Sequence, residues 1–197
     1  MFELASKSIL KKIKLICESF PFKQRQSYFG YQLKKLILEL EKEINENKSF
    51  KAKLLGSTAY KFQMYSYENK IITLEDTYKK GVTILDFWAS WCKPCRKSHP
   101  DFIYIFNKYR INNLSIIGIS VDENSKEWEN AIINDAITIW PNILNNKNDG
   151  GINLSEKYNI GYFPTKILID KKGTIIGIYI GDDFTELEKK LKDIFNY

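Results

Sequence analysis

Hydrophobic residues in the first 56 positions recur at helical spacing. Over residues 6–17 isoleucines stand at positions 9, 13 and 16, and a longer apolar stripe runs over residues 24–47. The members of the longer stripe are Leu33, Leu36, Ile37, Leu40 and Ile44. Steps of three and four residues place side chains on one helix face, which needs a partner to bury it. Proline disfavours helical backbone in the residue before it, so Phe20-Pro21 separates the two stretches. The pattern predicts a helical segment over residues 1–55, made of two helices.

From residue 56 onward, short apolar runs typical of strands alternate with helical patterns. The predicted strands are residues 60–66, 71–73, 82–88, 114–121, 165–170 and 174–180. The predicted helices are residues 74–80, 92–110, 125–135, 152–158 and 185–195, and residues 137–148, followed by Gly150-Gly151, form an irregular insertion. Strands joined by a crossover helix are parallel, whereas a tight turn such as Lys171-Lys172-Gly173 joins antiparallel strands. We therefore predict an α/β domain over residues 56–197, with a mixed sheet flanked by helices.

The composition indicates a folded core and excludes several classes of protein. The chain has 197 residues, of which 44% are hydrophobic, and this excludes wholesale disorder. No apolar run approaches the roughly 18 residues of a transmembrane helix. Cysteines are too few to scaffold a chain of this length. We therefore predict a fold held by its core, with no transmembrane segment in this chain.

The excess positive charge lies in the helical segment. Residues 1–56 hold 12 Lys and Arg against 6 Asp and Glu, whereas residues 57–197 hold 18 of each. A basic segment could meet nucleic acid or an anionic membrane surface, and its apolar stripes could pair as a coiled coil. We favour a solvated helix face and predict no nucleic-acid partner, because no long block of like charges occurs. Lysines 11, 12 and 14 interrupt the apolar run of a signal peptide, so export would require a leader outside this chain.

The main candidate for chemistry is a cysteine pair at the end of a predicted buried strand. The stretch reads Trp91-Cys92-Lys93-Pro94-Cys95, and the residues after it are predicted to be helical. Free backbone N–H groups and the helix dipole stabilise an anion at a helix start, so they favour the thiolate of Cys92, the form that attacks disulfides. Pro94 suits the first turn of a helix, where its missing N–H is not needed. Trp91 would form an apolar rim beside the sulfur.

This stretch resembles the active site of the thioredoxin superfamily, and more narrowly that of the TlpA/ResA-type thiol–disulfide oxidoreductases. Other stretches of residues 56–197 also resemble this family. They are IGISVDENSKEW, the insertion with Trp140-Pro141-Asn142, GYFPTKILIDKKG and the closing helix. The resemblance implies a thioredoxin-like fold and disulfide exchange with protein disulfides or dithiols, without a cofactor. It also implies a reductase of the periplasm or cell envelope, fed with electrons by a membrane-bound donor. Because no export signal is visible, the cytoplasm is the alternative location.

The resemblance also implies roles for individual residues. Cys92 matches the nucleophile that forms a mixed disulfide with the substrate, and Cys95 matches the buried cysteine that resolves it. Asp86 matches the superfamily's buried carboxylate. Apolar surroundings would favour its protonated form, so that it could exchange a proton with Cys95. Ser98 stands where ResA-type relatives carry a glutamate, so a second acidic group is not expected at this position.

Five residues are predicted to bind the substrate. Trp91, Lys93 and Pro94 adjoin the cysteines, and Phe163-Pro164 matches the cis-proline loop that faces the cysteine pair in the family. The backbone before such a proline could pair with an extended substrate strand. Lys93 is a cation one residue from the nucleophile, so it favours the thiolate and makes the pair a slightly stronger oxidant.

Other interpretations of these residues stay open. The cysteine pair could be a structural disulfide, or half of a zinc site with only Cys17 and His99 left as further ligands. We predict no metal site, and we expect Cys17 to be a small core residue and His99 to be exposed on its helix. Two other functions share parts of the pattern. One is a peroxiredoxin-like antioxidant enzyme, whose P-x-x-x-[ST]-x-x-C motif is absent, and the other is a non-catalytic module that binds a partner or handles copper.

Overall fold

The computed structural model describes residues 2–145 and 152–196. The chain divides into two compact units, Met1–Lys53 and Leu54–Tyr197. Each unit has its own secondary structure, helical in the first and mixed in the second.

The first unit consists of helices. They are α1 (Phe2–Ser19), α2 (Phe22–Arg25) and α3 (Tyr28–Leu54). The interruption at Pro21 lies where the sequence predicts it, but the second long helix begins later than residue 24, because a separate helical turn precedes it. An ion pair between Lys14 and Glu41 joins α1 to α3. The structure thus has long helices at both predicted places, with an additional short one between them.

The second unit alternates strands and helices, as predicted. Its strands are β1 (Gln63–Tyr65), β2 (Ile71–Thr73), β3 (Val82–Trp88), β4 (Leu114–Ser120), β5 (Asn142–Leu144), β6 (Thr165–Ile169) and β7 (Ile175–Ile180). Its helices are α4 (Leu74–Tyr78), α5 (Lys93–Tyr109), α6 (Ser125–Asn134), α7 (Leu154–Lys157) and α8 (Thr185–Phe195). The bounds of β3 and α8 coincide with the predicted ones.

The main sheet has the strand order β5-β4-β3-β6-β7. Strands β3, β4 and β5 are parallel, while β6 pairs antiparallel with both β3 and β7. Strands β1 and β2 form a separate antiparallel hairpin. The predicted mixed sheet is therefore confirmed, with β3 at its centre.

The core lies on both faces of this sheet. Every residue of β3 is buried, and alternate side chains of a strand point to opposite faces. On one face Ile84 and Trp88 belong to an apolar cluster that includes Phe102 of α5 and Leu187 of α8. On the other face the ring of Phe87 contacts that of Tyr158, just after α7, with 5.7 Å between ring centroids. Strand β3, which leads to the cysteine stretch, is thus packed on both faces.

Strand β5 corrects one prediction. It lies within residues 137–148, which the sequence analysis describes as irregular, and it pairs with β4 from Gly118↔Asn142 to Ser120↔Leu144. The end of the predicted insertion, including Gly150-Gly151, lies outside the described residues.

Among the helices that the structure describes, none is both long and apolar enough to span a bilayer.

Candidate active site

The cysteine pair lies where β3 gives way to α5. Cys92 is the N-cap of α5, with extended backbone (φ −79°, ψ 93°), and Pro94 is in the first turn. Cys92 and Cys95 form a disulfide, with 5.3 Å between their Cα atoms. The backbone N–H of Cys95 donates to Sγ of Cys92 at 3.3 Å. The helix start therefore directs a hydrogen-bond donor at Cys92, as an anionic sulfur requires.

The two cysteines differ slightly in access to solvent. Cys92 is 5% exposed and Cys95 is 1% exposed, so both are buried and Cys92 is the more accessible. Lys93 and Pro94, between them, are exposed. Trp91 is 61% exposed. Cys92 is therefore the cysteine with more access to solvent, and its neighbours Trp91 and Lys93 in the chain are both exposed.

The Phe163-Pro164 loop lies beside the cysteine stretch. Thr165 is opposite Phe87 in the antiparallel pairing of β3 and β6, so the residues just before β6 lie near the end of β3. The Phe163–Pro164 peptide bond is cis. The rings of Trp91 and Phe163 meet edge to face, with 6.0 Å between centroids. The structure therefore brings these predicted substrate-binding residues together, although they are distant in the sequence.

Asp86 is buried in the sheet, but its surroundings are not purely apolar. Its residue exposure is 3%, and Nζ of Lys166 lies 3.5 Å from its Oδ1. Lys166 is opposite Asp86 in the β3–β6 register, so both side chains are on one face of the sheet. The apolar environment expected for this carboxylate is therefore wrong in one respect, because a buried amine accompanies it. Sequence analysis overlooked Lys166, although it is a lysine within an otherwise apolar strand.

The amine of Lys166 lies within an aromatic enclosure. Its Nζ is 5.5 Å from the ring centroid of Phe102 and 4.9 Å from that of Phe184. These two rings stack on each other, with 5.4 Å between centroids. Burial lowers the pKa of Lys166 below its ordinary value of 10.5, and the negative charge of Asp86 opposes this shift. The rings and the carboxylate replace part of the hydration that the ammonium loses.

His99 corrects a prediction, because it is buried rather than exposed. It is 1% exposed, and its ring meets that of Trp88 edge to face at 5.0 Å between centroids. Its Nδ1 lies 2.7 Å from Oδ2 of Asp135. Asp135 also accepts from Nε of Arg96 at 2.9 Å and from Nη2 of the same residue at 2.6 Å. The helix face that carries Cys95 thus turns His99 inward and fixes it to the residue just after α6.

The carboxylate of Asp135 is ionised in this arrangement. Burial raises its pKa, but the hydrogen bonds from Arg96 and His99 outweigh burial, and the pKa lies below its ordinary value of 3.8. An ionised carboxylate only accepts hydrogen bonds, so Nδ1 of His99 carries the hydrogen. The first turns of α5, directly after the cysteine pair, are therefore held to the end of α6.

The loop before the cysteines is held by a second buried carboxylate. Asp122 is 1% exposed and accepts hydrogen bonds from the backbone N–H of Ser90 at 2.8 Å and from its hydroxyl at 2.6 Å. Asp122 also accepts from the hydroxyl of Ser120 at 2.6 Å. The turn that positions Cys92 is thus fixed from the end of β4. Sequence analysis did not single out Asp122, although it follows a predicted buried strand.

The alternative of a metal site finds no support in the described parts of the chain. No group of three or more His, Cys, Asp or Glu lies close enough there to hold a metal ion. His99 is bound to Asp135 instead. Cys17, on α1, is a free thiol of intermediate burial, so the expectation that it is a core residue is met only in part.

Known proteins resemble this chain in sequence and in fold. Residues 80–175 match the thioredoxin-like family. Thiol-disulfide oxidoreductase ResA of Bacillus thuringiensis is 35% identical over 141 residues, which cover 71% of this chain and 78% of that protein. The thioredoxin domain of a thiol-disulfide oxidoreductase from Bacteroides vulgatus superposes with a TM-score of 0.61 at 30% identity, over 70% of this chain and 96% of the other. A thiol:disulfide interchange protein from Bacteroides sp. gives a TM-score of 0.62 at 28% identity, over 73% and 91%.

A disulfide-forming Cys-x-x-Cys pair at a helix start, above a mixed sheet, defines a class of redox proteins. The chain belongs to the thioredoxin-like family of thiol–disulfide oxidoreductases. Its 35% identity to ResA, over 78% of that protein, shows this membership. Family membership confirms the predicted fold and the predicted class of activity, protein-disulfide oxidoreductase.

Proposed function

We propose that this chain is a reductase of protein disulfides in the cell envelope, with Cys92 as nucleophile and Cys95 as resolving cysteine. The observation that carries the proposal is the placement of the pair. Cys92 caps α5 directly after the exposed Trp91 in the chain, and Cys95, three residues further on, is the less exposed of the two cysteines. A thiol that must attack a large substrate needs access, whereas one that acts only on the resulting mixed disulfide does not.

The exchange proceeds in two balanced steps. In the reduced protein the thiolate of Cys92 attacks one sulfur of the substrate disulfide, and the other substrate sulfur leaves as a thiolate that takes up a proton. Asp86 then accepts the proton of the Cys95 thiol, and the Cys95 thiolate attacks Sγ of Cys92. The bond between Cys92 and the substrate breaks, the Cys92–Cys95 disulfide forms, and the second substrate thiolate leaves. Two electrons pass from the dithiol to the substrate.

The surface around the pair supports a protein substrate. Trp91 and Phe163 form an aromatic contact over the cysteine stretch, and Lys93 and Pro94 are exposed on the same turn. Aromatic rings supply apolar area to an extended peptide, and the backbone before Pro164 would supply hydrogen bonds. We assign substrate binding to these five residues.

The direction of electron flow and the location follow the TlpA/ResA resemblance. Proteins of that type act as reductants outside the cytoplasm and receive electrons from a membrane-bound donor. We propose the same for this chain, with such a donor as its second partner. An active site of the TlpA/ResA type favours a low reduction potential for the Cys92–Cys95 couple. The exposed cation of Lys93 raises this potential by only ~20 mV.

The midpoint potential of the Cys92–Cys95 couple tests this proposal. It is measured by equilibration in defined dithiothreitol and glutathione buffers, together with insulin reduction by the purified protein. We expect a potential nearer to about −270 mV, as in thioredoxin, than to about −120 mV, as in a strong oxidant, and we expect turnover of insulin. A potential above about −180 mV would contradict the assignment as a reductase. Absence of turnover together with tight copper binding by the reduced pair would instead favour the metal-handling alternative.

A further inference from the structure

The connection between the two long helices of the first unit carries a concentration of exposed aromatic side chains. Residues 20–31 contain five aromatic residues in twelve positions, whereas the whole chain is 14% aromatic. These residues are Phe20, Phe22, Tyr28, Phe29 and Tyr31, and all five are exposed. The exposed fractions of Phe22 and Phe29 reach 69% and 82%. Single exposed apolar residues are common in proteins, but a cluster of them marks an interaction surface.

These residues form one end of a pair of antiparallel helices. Lys14 of α1 is ion-paired with Glu41 of α3. Leu10, earlier in α1, and Ile44, later in α3, line the same surface depression as this pair. The two helices therefore run in opposite directions, and the chain turns back through α2 and the first turn of α3. We call residues 20–31 the aromatic tip.

Close packing joins the two helical parts of the aromatic tip. Gly30 is buried, and a Cβ at this position would lie 2.4 Å from the carbonyl oxygen of Arg25. The hydroxyl of Ser27 donates to the carbonyl of Gln24 at 2.6 Å and accepts from the backbone N–H of Gly30 at 3.3 Å. Successive residues of a helix are about 100° apart, so the aromatic neighbours of Gly30 point away from α2.

The aromatic tip lies in a stretch of the chain that is basic throughout. No Asp or Glu occurs between Glu18 and Glu39. The cations of this stretch are Lys23, Arg25, Lys34 and Lys35, and all of them are exposed. Lys35 has the carboxylate of Glu39 3.9 Å away, in an exposed contact that contributes little. An anionic partner therefore fits this surface, whereas a second copy of the aromatic tip would bring like charges together.

Aliphatic side chains in the flanking helices distinguish between two anionic partners. Leu15 and Ile16 of α1 are exposed, as are Leu36 and Leu38 of α3. Nucleic-acid bases stack on aromatic rings, and an aliphatic side chain offers them no ring. A lipid bilayer accepts both kinds of side chain, and it also accepts lysine and arginine, whose long stems carry the charge to the headgroups. The mixture of side chains therefore favours an anionic membrane over a nucleic acid.

We propose that the aromatic tip is a membrane-binding site: its aromatic side chains insert into the interface of an anionic bilayer, while its cations contact the lipid headgroups. Binding of this kind needs no membrane-spanning helix. The inference goes beyond the proposed function, because it concerns the helical unit and requires no disulfide exchange. A chain bound in this way would meet the proposed membrane-bound electron donor at the same surface.

Co-sedimentation of the oxidised full chain with lipid vesicles tests this inference. One set of vesicles is phosphatidylcholine alone, and in the other about one lipid in three is the anionic phosphatidylglycerol. We expect binding to the anionic vesicles to be at least about tenfold stronger than to the neutral ones, and to weaken as salt is raised to about 0.5 M.

Two double variants of the aromatic tip separate its charge from its apolar area. A cation near an anionic surface contributes about fivefold to binding, so Lys23→Gln with Arg25→Gln should weaken binding to anionic vesicles about tenfold to thirtyfold. Phe22→Ala with Phe29→Ala keeps the charge and removes apolar area, and should weaken binding at least about tenfold. Both changes affect exposed residues, so circular dichroism should show unchanged helix content.

Two matched pairs of substitutions elsewhere in the chain serve as controls. Lys48→Gln with Lys53→Gln makes the same change of net charge near the other end of α3, about 30 Å from its first turn. This distance exceeds the screening length of about 8 Å at physiological salt, so binding should weaken less than about threefold. Ile111→Ala with Ile133→Ala removes exposed apolar side chains from the second unit and should leave binding unchanged.

The outcomes also separate this inference from the proposed function. Failure of the wild type to bind anionic vesicles, or equal losses in the control pairs, would overturn the inference. Tighter binding to single-stranded RNA than to vesicles, lost in the same tip variants, would assign the surface to nucleic acid and overturn it too. All four double variants should reduce insulin at the wild-type rate. A wild type that binds vesicles but reduces no insulin would overturn the proposed function and support the membrane-binding site.

Discussion

Replacing Asp135 by alanine should destabilise the protein through His99 more than through Arg96. The carboxylate accepts from Nδ1 of His99 at 2.7 Å and from two nitrogens of Arg96. The side chain of His99 is 2% exposed, whereas that of Arg96 is 37% exposed. Without Asp135 the imidazole N–H is left in the core without its acceptor, while the guanidinium of Arg96 can turn to water.

The exposures of His99 and Arg96 determine how much stability each variant should lose. A buried hydrogen bond to a charged group contributes about 1.5–3 kcal/mol, and leaving its donor unsatisfied accounts for most of that loss. An ion pair whose cation is this exposed contributes roughly 0.2–1 kcal/mol. We therefore expect Asp135→Ala to lower the free energy of unfolding by about 2–4 kcal/mol, and Arg96→Met to lower it by less than about 1 kcal/mol.

Urea denaturation of the oxidised protein at pH 7, followed by circular dichroism, measures both values. Arg96→Met is the matched control, because it removes the exposed partner and keeps the aliphatic stem. Equal losses of stability in the two variants, or a loss of less than about 1 kcal/mol in Asp135→Ala, would show that the buried hydrogen bond to His99 is not the main contribution.

The same carboxylate predicts how stability depends on acid. The pKa of Asp135 in the folded protein is below the ordinary value of 3.8, so the unfolded chain takes up the proton first. Its contribution to stability is complete above pH 3.8 and is lost as the pH falls through the lower folded value. Stability of the wild type should therefore fall in this window more steeply than that of Asp135→Asn, as measured by urea titrations between pH 2 and 5.

Three other predictions concern packing in the sheet, the reduction potential at the cysteine turn and stability at alkaline pH. A Cβ at Gly118 would lie 2.3 Å from Oδ1 of Asn142, whose amide is held by two backbone carbonyls, so Gly118→Ala should cost about 1–3 kcal/mol in urea denaturation. A Cβ at Gly161 meets nothing within 4 Å, so Gly161→Ala is the control and should be nearly neutral. Lys93→Gln should lower the midpoint potential by ~20 mV in dithiothreitol buffers, and an increase would contradict the role of its charge. Burial raises the pKa of Tyr158 above its ordinary value of 10.0, so the unfolded chain loses that proton first and stability should fall as the pH rises above 10. Tyr158→Phe should show a smaller fall, and an equal one would argue against this tyrosine as the cause.

The centre of the fold was predictable because its elements carry their own patterns. Strand β3 is a continuous apolar run that is buried throughout, and α8 has an apolar face at helical spacing with acidic residues in its first turn. Strand β5 has no such pattern. It has only three residues and begins with Asn142, whose side chain binds the carbonyls of Ile137 and Trp140. It becomes a strand through its pairing with β4, which no local sequence pattern expresses.

Some features of the candidate site follow from local sequence patterns, whereas others depend on contacts between distant parts of the chain. The Cys-x-x-Cys spacing predicts the disulfide, and the resemblance points to Pro164 beside it. The burial of His99 and the pairing of Lys166 with Asp86 depend instead on which residues face each other across packed elements. A histidine next to a proline in a charged helix start, and a lysine in a strand, both suggest solvent exposure when each is considered alone. Only the acceptor supplied by Asp135, and the register of β6 against β3, make their burial possible.

Trapping the mixed disulfide identifies which cysteine attacks the substrate. The reduced Cys95→Ala and Cys92→Ala variants are each incubated with a peptide that contains one disulfide, and the products are analysed by mass spectrometry without reductant. We expect Cys95→Ala to accumulate a covalent adduct through Cys92, which dithiothreitol releases, and Cys92→Ala to form little or none. An adduct formed mainly by Cys92→Ala, or by neither variant, would contradict the assignment of Cys92 as the nucleophile.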